Sequence, residues 1–457
     1  MQHGEPALNF RFNRKTNRQL TLADALQYVG RTGNPPRMSN CQNANVDFRH
    51  GRREALRRLL LATTVLLLAI DPDLRAQAVN AQEQRGIDRD IAEHNGDAPA
   101  DPGPRAHLST ALKPDDIRVA VRKVAGWELT RAQPWFDSTW TWSTLYAGLM
   151  AASTALDDSR YRDAMEAMAE KFHWQLRSEH PNADDQSIGQ TYLELDLQQP
   201  APERIAPTRA ALDELLGGAA APIPQGQASI TWWWCDALFM APPVWSRMYA
   251  ATHDHRYLDY VDQHWQETSN LLYDPARHLY YRDITYLHKT GDRGKSVFWS
   301  RGNGWVMAGL ARTLEYWPDN DSGRTRYETQ LREMAEAIRP LQDAKSGLWH
   351  SDLLDPKDYP QPETSGSALM AYALAWGVNH GVLDRSAYGP VIAKAWRGLV
   401  GQIYEDGRLG NIQQTGEAPA HYLPGSSYNY GVGAFLLAGV QVEQMVAGSG
   451  SQGKQHQ

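Results

Sequence analysis

The residue types best suited to chemistry crowd into Thr231 to Trp245, where Trp232, Trp233 and Trp234 lead through Cys235 to a single acid, Asp236. A carboxyl group held against indole faces loses hydration. Its charged form is then disfavoured and its pKa rises toward what a proton donor needs at neutral pH. Indole faces also stack on the C–H faces of sugar rings. The plainer alternative is a packed tryptophan core in which Asp236 is only a first-turn acid favoured by the helix dipole. A second acidic site is Asp184 with Asp185. One of the two can cap a helix while the other turns inward opposite Asp236, completing the two-carboxylate arrangement common in sugar cleavage; the sequence leaves open which. A third stretch, Phe298 to Trp305, sets Arg301 between Trp299 and Trp305, with Asn303 and two glycines that permit close approach of backbone or ligand. An arginine framed by aromatics can hold a carboxylate with its planar fork, or can simply stack as packing.

These stretches need a scaffold that brings them together, and a loose repeat supplies one. Six small-residue-rich segments are apolar around most of a helical circumference, as buried helices are: 142–155, 187–197, 233–251, 303–316, 366–379 and 431–443. Four are followed by a polar turn, a tyrosine (Tyr161, Tyr257, Tyr327, Tyr388) and an amphipathic helix, and segments 115–125 and 207–216 complete six half-exposed partners. Six helical hairpins closing a ring make an all-α (α/α)6 barrel, expected over residues 106–447. An open solenoid is the alternative, but its ends would need polar caps, and the last buried segment is as apolar as the middle ones. In a ring of parallel inner helices all N-termini open at one end. The segments entering them would therefore build an aromatic bowl from Trp140, Trp142, Trp233, Trp234, Trp299, Trp305 and Tyr428, with Arg301, Asn303 and Ser365 at its floor.

Composition narrows the partners. A net charge of −7 with scattered arginines gives no field for nucleic acid, and 16 Trp and 20 Tyr against 8 Phe favour rings with a polar handle, suited to carbohydrate. Two cysteines, Cys41 and Cys235, exclude a disulfide framework and a cysteine zinc site; no histidine pair has metal-ligand spacing and no phosphate loop is present, so no metal and no cofactor are expected. Residues 1–78 are read as a leader. Its segment from about 52 to 78, with Arg52-Arg53, the apolar run Leu59 to Ile70 and Ala76-Gln77-Ala78, has the order of an export signal. The apolar run is too short to span a bilayer. A mature chain starting near Val79, without a membrane span, is thus expected outside the cytoplasm, periplasmic or secreted. Residues 79–105 read as a flexible linker and 448–457 as a disordered tail. The oligomeric state is not legible.

The runs around Trp233 to Pro243, Phe298 to Trp305 and Glu363 to Ala368 resemble the family-105 glycoside hydrolases, unsaturated rhamnogalacturonyl hydrolases related to the family-88 unsaturated glucuronyl hydrolases. The resemblance extends from about 110 to 445. It implies an (α/α)6 barrel that removes a Δ4,5-unsaturated uronic acid, galacturonyl in pectin products, from the non-reducing end of small oligosaccharides made by polysaccharide lyases. It further implies Asp236 as general acid/base, a second acid at Asp184 or Asp185, and a substrate site lined by Trp299, Arg301 and Trp305. The segment Tyr280-Tyr281-Arg282-Asp283 falls where some members place a substrate-contacting histidine, and Arg282 is its substrate-binding candidate. Unsaturated glucuronyl hydrolysis of other lyase products is the nearest alternative. A sugar epimerase using His350 and His421, or a non-catalytic sugar-binding barrel, lies further off.

Overall fold

The computed structural model describes residues 72 to 452, with side chains from 81 to 448. The chain divides after Leu74 into two units, and almost all described residues belong to the second, Arg75–Gln457. The described elements begin with α1 (Pro72–Ala92) and β1 (Gly96–Asp97), followed by α2 (Pro114–Ala132). Five hairpins come next: α3 (Trp140–Leu156) with α4 (Ser159–Lys171), α5 (Ala183–Gln186) and α6 (Gly189–Gln198) with α7 (Pro202–Leu216), and α8 (Ala237–Met240) and α9 (Pro242–Thr252) with α10 (Arg256–Leu272). After the short strands β2 (Tyr273–Asp274) and β3 (Leu279–Tyr280) come α11 (Ser300–Leu314) with α12 (Arg324–Ile338). Strands β4 (Trp349–His350) and β5 (Pro362–Glu363) precede α13 (Thr364–Asn379) with α14 (Arg385–Val400), and β6 (Ser427–Tyr428) leads into α15 (Asn429–Gln452).

The inner ring is α3, α5–α6, α8–α9, α11, α13 and α15, each in contact with the next and α15 back on α3, so the ring is closed. Residues such as Leu149, Val306, Leu369 and Phe435 are completely buried within it. Closure relies on glycine. A Cβ on Gly433 of α15 would lie 2.1 Å from the Thr144 carbonyl oxygen of α3, and one on Gly148 would lie 2.6 Å from the Gly433 oxygen. First and last inner helices therefore touch backbone to backbone. Although Asn429–Gly448 is long and apolar enough to cross a membrane, it is the mostly buried sixth inner helix.

The recurring tyrosine explains itself in the outer ring. Tyr257, Tyr327 and Tyr388 each sit near the start of an outer helix and bond back to an acid of the preceding one, at Asp213 (2.7 Å), Asp262 (2.9 Å) and Glu336 (3.3 Å). The third inner helix is broken, where the sequence pattern of 233–251 predicts a continuous one. Pro242 and Pro243 lack the N–H groups that would continue the ladder. The Gln190 amide of α6 bonds instead to the carbonyl oxygens of Phe239 (2.9 Å) and Met240 (3.3 Å).

Two expectations are corrected. Residues 79–105 are not a flexible lead-in: they continue α1 and include β1, which pairs Gly96 with Tyr428 and Asp97 with Ser427. Asp90 and Asn95 are buried there, fixed by polar bonds that leave no apolar period to read. The tail read as disordered begins as the end of α15, which runs to Gln452; residues 453–457 lie outside the described residues. So does the export segment up to residue 71, while Ala76-Gln77-Ala78 falls within α1.

Candidate active site

The two acidic sites meet. Asn182 caps the short helix α5 by accepting from the Asp185 N–H, and Asp185 lies 3.6 Å from Arg177, turned toward the partly exposed side. Its neighbour Asp184 is the acid near enough to Asp236 to be raised by its charge. Burial raises the Asp184 carboxyl first and the charge of Asp236 adds to it, giving about 7. The Asp236 carboxyl, only 8% exposed, is also raised by burial, with Arg282 and Arg301 pulling it back down. With Asp184 raised to about 7 and Asp236 also raised, this pair of carboxyls holds a proton near neutrality. The buried Cys235 thiol lies 3.5 Å from Asp236 Oδ2; burial pushes it upward, so it stays protonated and donates.

Arg282 is the cation of this centre. Its Nε is 3.7 Å from Asp236 Oδ2, its Nη1 is 2.5 Å from Asp283 and 3.2 Å from Glu417, and its guanidinium lies 5.5 Å from the Trp233 ring. The Arg282 carbonyl accepts from the Cys235 N–H at 2.8 Å, locking the bend after β3 to the segment that carries Asp236.

Of the two readings of Arg301, a fork for a carboxylate or an arginine stacked as packing, the structure places it nearer the second. It is completely buried, with Nη1 donating to the Gln413 carbonyl and Nη2 to the Gln414 carbonyl, both at 2.9 Å, and its plane lies 4.4 Å from the Trp299 ring. Its terminal nitrogens are spent on main chain, so it reaches the acids as a positive charge beneath the floor. Other expected lining residues are corrected in the same way. Trp142 packs in the core against Phe136 and Tyr146. Asn303 ties Tyr280 N–H and C=O to the Trp299 carbonyl. Ser365 donates to Glu363, and Tyr428 is buried in a stack with Tyr430. Trp305 is buried between Trp140 and Phe239, and Trp299 donates to Gln413. Of the three successive tryptophans, Trp232 is core beside Tyr260 and His264, while Trp233 stacks obliquely on Trp234 and stays partly exposed, as does Trp140.

The loop from Gln413 to Ala420 carries contacts to the site that no sequence motif marks. Gln413 accepts from Trp299 and Ser351 and donates its N–H to Glu363, and Glu417 from this loop reaches Arg282. Neutral glutamines in an irregular stretch carry no pattern that announces such a role. The histidines do not converge: His350 lies by Asp343 and His421 packs tilted against Tyr359. Among the described residues, no cluster of three or more His, Cys, Asp or Glu could hold a metal ion.

Known proteins share this barrel and much of its sequence. The model for Glycosyl Hydrolase Family 88 matches residues 115–446. An unsaturated 3S-rhamnoglycuronyl hydrolase of Formosa agariphila is 36% identical over 74% of this chain and 93% of its own length. One from an Alteromonas species is 33% identical over 65% and 76%. Among solved structures, a glycosyl hydrolase family 88 protein from Bacteroides vulgatus superposes with a TM-score of 0.68 at 30% identity, covering 73% of this chain and 99% of that one.

Proposed function

Because the chain belongs to glycosyl hydrolase family 88, we propose that it removes a Δ4,5-unsaturated uronic acid from the non-reducing end of small oligosaccharides released by polysaccharide lyases. The observation that carries this reading is the pairing of partly exposed Asp184 with buried Asp236 beside Arg282, which keeps a transferable proton near neutral pH. The C4=C5 bond of such a sugar adjoins the ring oxygen and is an enol ether, basic at C4. Asp236 delivers the proton to C4, and positive charge develops at C5 and the ring oxygen. Water, deprotonated by the same carboxylate, adds to C5. The hemiketal opens to a 5-keto sugar and C1 expels the aglycone. Asp184 shares the pair's proton and is the second group able to hold water or a sugar hydroxyl. Trp233 and Trp140, partly exposed, are the rings available for stacking. With Arg301 committed to main chain, the uronate carboxylate falls to Arg282.

Lyase elimination erases the configuration at C4, so glucuronate and galacturonate give the same unsaturated sugar. Selectivity must then come from the aglycone, and rhamnose, named in both curated relatives, is the one we propose. The test is the loss of ene-acid ultraviolet absorbance with unsaturated uronyl-rhamnose disaccharides, against no release from their saturated counterparts. Equal cleavage of both would refute the reading. Export remains a separate proposal, resting on the Arg52-Arg53, Leu59–Ile70 and Ala76-Gln77-Ala78 pattern.

A further inference from the structure

Three carboxylates surround the single guanidinium of Arg282: Asp236 at 3.7 Å, Asp283 at 2.5 Å and Glu417 at 3.2 Å. They differ in freedom. Asp283 is completely committed, since it also caps Thr285 through N–H and hydroxyl, and Asp236 is buried. The Glu417 side chain is 59% exposed, and Arg282 is its one ion-pair partner among the described residues. Around the acid pair the charged and titratable groups are Asp184, Asp185, Asp236, Asp283 and Glu417 against Arg177, Arg282 and Arg301, with the Cys235 thiol and Tyr286 phenol. An anionic sugar approaching this set meets an excess of carboxylate unless one withdraws.

The segment bearing Glu417 cannot easily withdraw as a whole. Toward the barrel it is held by Arg301 on the Gln413 and Gln414 carbonyls, and the Gln413 amide bonds across the loop to the Ala418 carbonyl. From the other side α1 grips it: Asp90 accepts the Thr415 N–H (2.7 Å) and hydroxyl (2.5 Å), Arg89 donates to the Thr415 carbonyl, and Glu83 accepts the His421 N–H. Only a side-chain rotation is left to Glu417.

Building on the function proposed above, we propose that Glu417 is a resident stand-in for the substrate's carboxylate: it occupies the outward side of Arg282 in the free enzyme and rotates away when the uronate carboxylate takes its place. The exchange keeps the charge beside Asp236 nearly constant and makes binding selective for a ligand that can replace a carboxylate. Helix α1 serves as the brace that confines the motion to one side chain.

Glu417→Gln removes the competitor's charge while keeping its shape. Binding is read by quenching of tryptophan fluorescence, for which Trp233 beside Arg282 is a reporter, using an unsaturated uronyl-rhamnose disaccharide and its methyl ester. The Asp236→Asn background prevents turnover. Glu417→Gln should tighten binding of the free acid about five- to tenfold, the scale of one partly exposed charge, and leave the ester unchanged. Weaker or unaltered binding of the acid, or equal gains for acid and ester, would overturn the proposal. Asp90→Asn, which loosens the brace without touching Arg282, should raise hydrogen exchange across 413–421 with little change in acid-over-ester preference; unaltered exchange would overturn the role given to α1. Because these readouts need no turnover, they stand apart from the functional reading, which fails instead if the enzyme with Asp236 intact leaves the double bond untouched.

Discussion

Replacing Asp184 by asparagine should stabilise the protein in alkaline solution while removing its activity. The native carboxyl is raised from its ordinary 3.8 to about 7, first by burial and then by Asp236. For an acid raised in the folded state, the native form binds the proton more tightly than the unfolded chain, so stability falls as pH climbs from 3.8 to 7. Three units correspond to ~4 kcal/mol of cost above pH 7, reduced by half or so for solvent access and relaxation. An amide in its place has no such titration. Asp184→Asn should therefore gain about 1–1.5 kcal/mol on the wild type between about pH 5 and about pH 8.5, the part of that cost that falls inside the window, whatever constant offset the amide introduces. Urea unfolding at the two pH values measures the difference, with kcat/KM on an unsaturated disaccharide measured alongside. A variant whose stability runs parallel to the wild type across that range would refute the strained, desolvated pair on which the chemistry depends.

Other consequences follow from particular contacts. Arg301→Lys cannot serve the Gln413 and Gln414 carbonyls together, so it should lower stability by ~2–4 kcal/mol and loosen the 413–421 loop; a shift in KM at unchanged melting temperature would return Arg301 to direct substrate contact. Gly433→Ala should prevent ring closure, since its methyl would lie 2.1 Å from the Thr144 oxygen; soluble protein with a wild-type melting temperature would contradict backbone contact between first and last inner helices. Protein recovered from the exported fraction should begin close to Val79 on N-terminal sequencing, and intact protein confined to the cytoplasm would remove the export reading.

The barrel was legible because buried inner helices must be apolar around their whole circumference and small where they touch, and 366–379 and 431–443 announce this without ambiguity. The site was legible only as stretches. Asp236 could be picked out by its aromatic neighbours, but Asp184 and Asp185 share one helix turn, and only Arg177 and Asn182, brought up by the fold, decide which turns inward. Arg301 and Asn303 look like ligand contacts because buried polar residues between tryptophans resemble a binding motif. Their partners are backbone groups distant in sequence, at Gln413 and Tyr280, which no local pattern reveals. Helix α1 was missed for a related reason: it docks through Asp90 and Glu83, polar contacts that composition reads as a lead-in.

The most direct test of the central claim is to run the reaction in D2O and locate the label. If Asp236 protonates C4 of an enol ether, the released uronate carries one solvent deuteron at C4, and Asp236→Asn abolishes release while preserving binding. Aglycone release with no deuterium at C4 would mean that the proton goes to the glycosidic oxygen, and would contradict the hydration mechanism for this protein.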